Sequence, residues 1–495
     1  MGSVALRGSV LNSLQGIINK ALTALAMLAV AHFLTPGQYG VGATAIAVSQ
    51  TVAFLLPLTV GDVLIAHPRL YARLAPAAAR LAALAAIGSG ALIVLAVPVA
   101  THFYPDVDQA WLTVLLLVLA VKPLLESRLV LPLSSLRLAL AYPAIAWIDG
   151  VVQAGATTLS VILAAVGAGP SSLVVPQIAG TAVRQGLYRR RWTAPATQPF
   201  RRSAFRLLLR SFLKAVSAQY LHNVIMTLEV LVLGFACGES EAGFFSFAFV
   251  LAAQANLLIA FQLGVVLQPI LGHLQQDPVR QVMGFLKAQR VLAGVCVPIC
   301  FTQAIMAEPI FRIAFAEKWM PAIPVFQTVS IAQAFYFATG PSISCLRAQR
   351  RFGMFLLWQG VQLLVSVPVY LIGSKEGGAL GAAIASGAVW AISSPLVVWL
   401  CTKPAPGRWL ATSLGVFLKP WLVAAPVAIG AWMLAGSLSG LGRTGDWMSL
   451  LLVAPACAAI SIWACRFLHE DIRSAVDTMV RFSVARLRRP SGEGA

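Results

Sequence analysis

The sequence predicts an all-α polytopic membrane protein of about fourteen transmembrane helices, two pseudo-symmetric six-helix bundles plus two C-terminal helices. Three observations predict it. Of 495 residues, 59% are hydrophobic and 11% charged, less than half the ~25% charge of a soluble domain. Apolar runs of about 20 residues or more recur almost end to end, so mean hydropathy is +0.83 and no stretch is left for a soluble catalytic domain. The polar residues that open the first run return in the seventh at identical spacing.

Taken in order, the first run covers 8–33. It follows Arg7 and lacks the short apolar core and small-residue cleavage site of a signal peptide, so it reads as a retained span. The TPGQYG turn leads into 40–66, and 80–103, 110–130, 138–167 and 170–188 follow, with YPDVDQ between the third and fourth runs. The longest polar connection, about 189–206 (RRRWTAPATQPFRRSAFR), separates six spans from eight. Beyond it lie 207–236 and 243–272, joined by GESEAG, then 288–315, 322–345, 353–373 and 378–400, the last two joined by GSKEGG, and finally 411–436 and 447–465. Most runs exceed a perpendicular crossing, which implies tilt or ends that project into water. The expected organisation is an N-lobe over 1–190, a cytoplasmic linker over 191–206, a C-lobe over 207–400, two further helices in 401–465 and a basic tail from 466 to 495.

The net charge of +19 has a membrane explanation rather than a nucleic-acid one. Most of the 36 Lys and Arg fall on one side if both termini are cytoplasmic: Arg73 and Arg80, Lys122, Arg128 and Arg137, the 184–214 cluster, Arg347 to Arg351, and the tail. The opposite connections are short and hold acids, among them Asp106, Asp108, Glu239, Glu241 and Asp446. An even number of spans fits that split. The tail, with Phe467, Ile472, Val476, Val480 and Val484 at helical spacing among arginines, suits either a helix on the anionic inner leaflet or one packed on the cytoplasmic loops. Seven cysteines, without a CxxC pair or a His at ligand spacing, read as packing residues, and no metal site is expected. Tyr39, Trp111, Trp319, Trp358, Trp432 and Trp447 stand near run ends, as interfacial anchors do.

The repeat gives the candidate site. Ser13, Gln15, Asn19 and Thr23 in SLQGIINKALT match Ser217, Gln219, Asn223 and Thr227 in SAQYLHNVIMT, and the two turns that follow end at Gly40 and Gly243. A duplicated six-helix unit is implied, and parallel repeats can rock about a site at their interface. Residues four apart share a helix face, so Gln15, Asn19 and Thr23, like Gln219, Asn223 and Thr227, should face the bundle interior or a cavity. Lys20 lies fifteen residues before Thr35, roughly 22 Å along a helix, too deep to snorkel easily. It either projects into a cavity, pairs with a buried carboxylate to lock helices together, or sits shallower than its position implies. Asp149, inside the fifth run, is the first candidate for proton or ion coupling or for a Lys20 partner. Glu229 reads as a gate or a surface residue, and Asp62 and Glu308 as interfacial or intramembrane acids.

Three stretches carry a family resemblance: HFLTPGQYGVGATAIA, AEKWMPAIPVFQTVSIAQAF and LRAQRRFGMFLLWQ. With them the chain resembles the Wzx-type polysaccharide flippases of the multidrug/oligosaccharidyl-lipid/polysaccharide exporter superfamily. That resemblance implies a central cavity opening alternately to each side, a bacterial inner-membrane location, and passage of an undecaprenyl-diphosphate-linked oligosaccharide between leaflets. No covalent chemistry and no cofactor are implied, coupling to H+ or Na+ is left open, and membrane lipids, a polysaccharide polymerase and export machinery are the expected partners. A diphosphate head needs a cation in a polar cavity, and its glycan needs amides and hydroxyls, which Lys20, Asn19 and Gln15 would supply. Two other readings stand beside it: an exporter of small amphiphiles on the same fold, and a membrane-embedded polymerase or ligase, for which the outward connections are too short to form a catalytic loop.

Overall fold

The computed structural model describes residues 22–23, 25–65, 70–139, 141–192, 199–274, 276–349, 351–405, 407, 409–468 and 470–474. Within them the chain is helical, with no strand. Eight helices are long and apolar enough to cross a membrane, nine when the bent pair Pro36–Val52 and Pro57–Ile65 is counted as one. Two of the eight are divided by glycines at turns the sequence marks. Arg202–His273 breaks at Gly238 (φ 82°) in GESEAG, and Phe352–Thr402 breaks at Gly377 and Gly378, the latter at φ 55°. A side chain at such φ is strained, which is why the connections between crossings fall on glycine.

The chain gathers into two compact units: one holds the residues up to Phe247 together with Leu356–Ala382, the other Ala248–Phe355 and Ala383 onward. The boundaries fall after Phe247, Phe355 and Ala382, and none falls in the 189–206 connection. In the first unit, Ile93, Leu112, Leu115, Leu116 and Val174 form one core and Val60, Leu64, Leu81, Leu208 and Phe212 another. In the second, Pro278–Ile305 packs on Ala322–Ala338 and Trp409–Ser439. Buried amides staple these helices: Gln289 donates to the Ala338 carbonyl, Gln333 to that of Phe249 at 3.0 Å and Gln303 to that of Ala252 at 3.0 Å. Six cysteines are buried and Cys237 is half-buried, all unpaired, as packing residues should be.

Local sequence explains where helices start and break. Thr35 and Gln38 form a reciprocal capping box at the start of Pro36–Val52, with Pro36 at the first helical position. Pro57 has no N–H to give the Ala53 carbonyl, and the chain bends there by 53°. Pro123 likewise denies a partner to the carbonyl of Leu119, and the predicted 110–130 run divides into Gln109–Leu119 and Lys122–Ser127.

Trp319 departs from expectation. It is fully buried, in the 3-10 turn Glu317–Trp319, so it is a core residue and not an interfacial anchor. Tyr39 is buried too, its ring edge-on to Phe247 at 5.6 Å, whereas Trp111, Trp432 and Trp447 are exposed as anchors should be. Glu308 pairs with Arg312 one helical turn on, both half-exposed.

Candidate functional site

The bend at Pro57 is where the first unit opens inside. A cavity of about 390 Å³ is lined by Ser49 and Gln50 before the break, Thr59 and Asp62 after it, Lys122 and Glu126, and Gln219 and Asn223. Broken helices at such a place present backbone carbonyls that need donors. Here Ser89 supplies one, its hydroxyl donating to the Leu55 carbonyl at 2.6 Å.

One wall is the predicted amide stripe. Gln219 Nε2 donates to Asn223 Oδ1 at 3.1 Å, Thr227 donates to the Asn223 carbonyl at 3.0 Å, and the Thr227 hydroxyl meets that of Thr51 at 3.2 Å. Gln219 and Asn223 therefore reach the cavity, while Thr227, one turn on, ties the helix to Pro36–Val52. The ring of Tyr220 stacks edge-on against Phe54, in the break before Pro57, at 4.8 Å. The matching stripe is only partly in view: Thr23 is half-buried, and Gln15, Asn19 and Lys20 lie outside the described residues.

The opposite wall carries the charge. Lys122 Nζ donates to Gln177 Oε1 at 3.3 Å, and the positive charges of Lys122 and Arg184 both act on Glu126. Asp62 pairs with Arg137 at 3.0 Å, both side chains largely exposed. Among the described lining residues the cavity thus has one cation, Lys122, and two carboxylates, Asp62 and Glu126. Glu126 reads from sequence as an acid near Lys122 and Arg128 at a cytoplasmic run end, whereas Lys122 escapes as a cavity residue because the charge rule already accounts for a lysine there. What holds Lys122 at the lining is Gln177, on the separate helix Ser171–Arg190, a contact that no local pattern announces.

The remaining candidates sit elsewhere. Asp149 accepts from Tyr188 Oη at 2.9 Å and pairs with Arg184 at 3.1 Å, joining Tyr142–Ala165 to Ser171–Arg190. Its partner Arg184 also acts on Glu126, so Asp149 connects to the cavity through one intermediate charge. Glu229 is 2% exposed, on the helix that carries the amide stripe.

Fold and site together define a polytopic helical membrane protein with a cavity of mixed polar and apolar lining between helices of its first unit. The chain belongs to a family described as polysaccharide biosynthesis protein, whose model matches residues 29–324. It is 24% identical over 231 residues to an uncharacterized membrane protein in the cps region of Klebsiella pneumoniae, covering 44% of this chain and 48% of that protein. It is 23% identical over 226 residues to the lipopolysaccharide biosynthesis protein WzxC of Escherichia coli K12, covering 46% of each. The chain thus spans about half the length of the curated relatives it matches. Its fold is similar to that of the lipid II flippase MurJ in an inward closed conformation, with a TM-score of 0.66 at 13% identity over 94% of this chain and 99% of that one. The resemblance to Wzx-type proteins read from the residues agrees with the family match and with the likeness to WzxC.

Proposed function

We propose that the protein translocates an undecaprenyl-diphosphate-linked oligosaccharide repeat unit across a bacterial inner membrane for surface polysaccharide assembly, by alternating access of two lobes. The observation that carries the proposal is the cavity itself, which brings Lys122 and the amides of Gln50, Gln219 and Asn223 to one space inside the membrane-spanning part of a polysaccharide-biosynthesis family member. About 390 Å³ falls in the range of small-ligand sites, a size for a head group and not for a polymer. In this reading Lys122 takes the diphosphate, with Lys20 as a second cation. The amides take sugar hydroxyls, and the polyprenyl chain stays in lipid. Arg137 pairs with Asp62, and Lys122, which neighbours Glu126 and donates to Gln177, is the cation that an incoming anion would meet in the lining. Asp149, Asp62 and Glu229 are the proposed coupling or gating residues. The proposed orientation has both termini in the cytoplasm, and the proposed partners include a polysaccharide polymerase.

A second reading, a cation-coupled exporter of small amphiphiles, draws support from the two carboxylates in the lining. Substitution at Lys122 tests the anionic-lipid reading. In cells that depend on this protein for polymer export, Lys122→Gln should cut surface polymer at least tenfold at unchanged membrane abundance. Lys122→Arg should retain part of the output, because charge survives while geometry changes. Full output from Lys122→Gln would remove Lys122 from the path of the diphosphate.

A further inference from the structure

The first unit holds a second group of contacts that the cavity does not use, at the far ends of the same helices. Gly40 and Gly243 end the two matched turns of the internal repeat, and the fold sets them against each other. A Cβ on Gly40 would lie 1.8 Å from the carbonyl oxygen of Glu239, and one on Gly243 would lie 1.9 Å from that of Pro36. The contact is reciprocal, 36 and 40 against 239 and 243, and brings two backbones together where only glycine leaves room. Two carboxylates of the same GESEAG turn fasten its surroundings. Glu239 Oε2 accepts from the Asp108 N–H at 3.0 Å, Asp108 being the N-cap of Gln109–Leu119. Glu241 Oε2 accepts from the Ala379 N–H at 2.6 Å, where the helix resumes after Gly377 and Gly378. Amides at helix starts lack intrahelical partners, and a carboxylate is the favoured acceptor there.

This contact is remote from the cavity. Gly40 precedes Ser49 by nine residues and Gly238 follows Asn223 by fifteen, about 14 and 22 Å along a helix. On the charge-derived orientation it lies at the outward end. We propose that the GESEAG turn is a latch: the Gly40–Gly243 crossing, fastened by Glu239 and Glu241, holds the outward end of the first unit shut and must part before the cavity opens to that side. The proposal rests on the alternating-access reading for its purpose, but its test needs no substrate.

The reporter is Gln50→Cys, at a half-buried cavity position, in a Cys237→Ser background that removes the one thiol not fully buried. Labelling with a membrane-impermeant maleimide is timed in spheroplasts and in inside-out vesicles. With the latch intact, reaction should be fast from the cytoplasmic face and slow from outside. Glu239→Gln with Glu241→Gln should raise the outside rate about tenfold, a shift of ~1.4 kcal/mol, and slow the inside rate; Gly40→Ala should act in the same direction. An unchanged outside rate in the near-isosteric double variant, with cytoplasmic-face labelling intact as evidence of folding, would overturn the latch. Glycan transport is scored separately on the native protein, so a protein that latches yet carries no glycan passes here and fails there.

Discussion

Asn223 shows how far single residues can be read. Its place on an inward stripe with Gln219 and Thr227 follows from the four-residue spacing of polar groups in an apolar run, and the structure places Gln219 and Asn223 at the cavity wall with Thr227 bonded one turn away. Asn223→Leu removes the acceptor of Gln219 and an amide from the cavity. It should lower polymer export several-fold, and Asn19→Leu with Asn223→Leu should fall below the product of the single effects if both amides line one space; strictly multiplicative losses would separate them. Lys122 is harder to read, because at the end of an apolar run a cytoplasmic-loop lysine and a cavity lysine look alike, and the contact that sets it in the lining, with Gln177, comes from a helix some fifty residues on. The Arg137–Asp62 pair is the opposite case. Both side chains are largely exposed, so Arg137→Ala should change the melting midpoint in detergent by no more than ~1 kcal/mol implies.

At the scale of elements, turns were more legible than helix continuity. TPGQYG, GESEAG and GSKEGG mark three helix junctions, because glycine and proline impose backbone geometry without regard to what packs nearby. The breaks at Pro57 and Pro123 were absorbed into uninterrupted runs, since proline inside a membrane helix is often tolerated and only tertiary packing shows which one bends the chain. Trp319 went astray for a related reason: a tryptophan at a run end is ordinarily interfacial, and nothing local reveals that a 3-10 turn folds it inward. Two stability measurements follow. Thr35→Ala dismantles the capping box and should cost ~1 kcal/mol, while Thr35→Ser should cost less. Trp319→Ala empties a fully buried site and should cost ~3–5 kcal/mol, read as a lower melting midpoint or lost membrane yield. A loss under 1 kcal/mol would return Trp319 to the interface.

For the whole molecule, composition fixed the class, because a chain this apolar has only helices or closed barrels with which to satisfy its backbone in lipid. The repeat went further, since the two turns matched by sequence alone, at Gly40 and Gly243, are in contact. What pattern could not supply was the grouping of helices. The compact units take 202–247 and Leu356–Ala382 with the first part of the chain, a consequence of long-range packing that no local run encodes. The central claim is that the cavity around Lys122 and Asn223 carries an anionic, lipid-linked glycan between leaflets. Its most direct test is reconstitution into liposomes with a fluorescent polyprenyl-diphosphate oligosaccharide, scoring leaflet exchange with and without an ion gradient. Native protein should exchange the lipid and Lys122→Gln should lose most of that rate; equal rates for the two, or no exchange by folded native protein, would contradict the account.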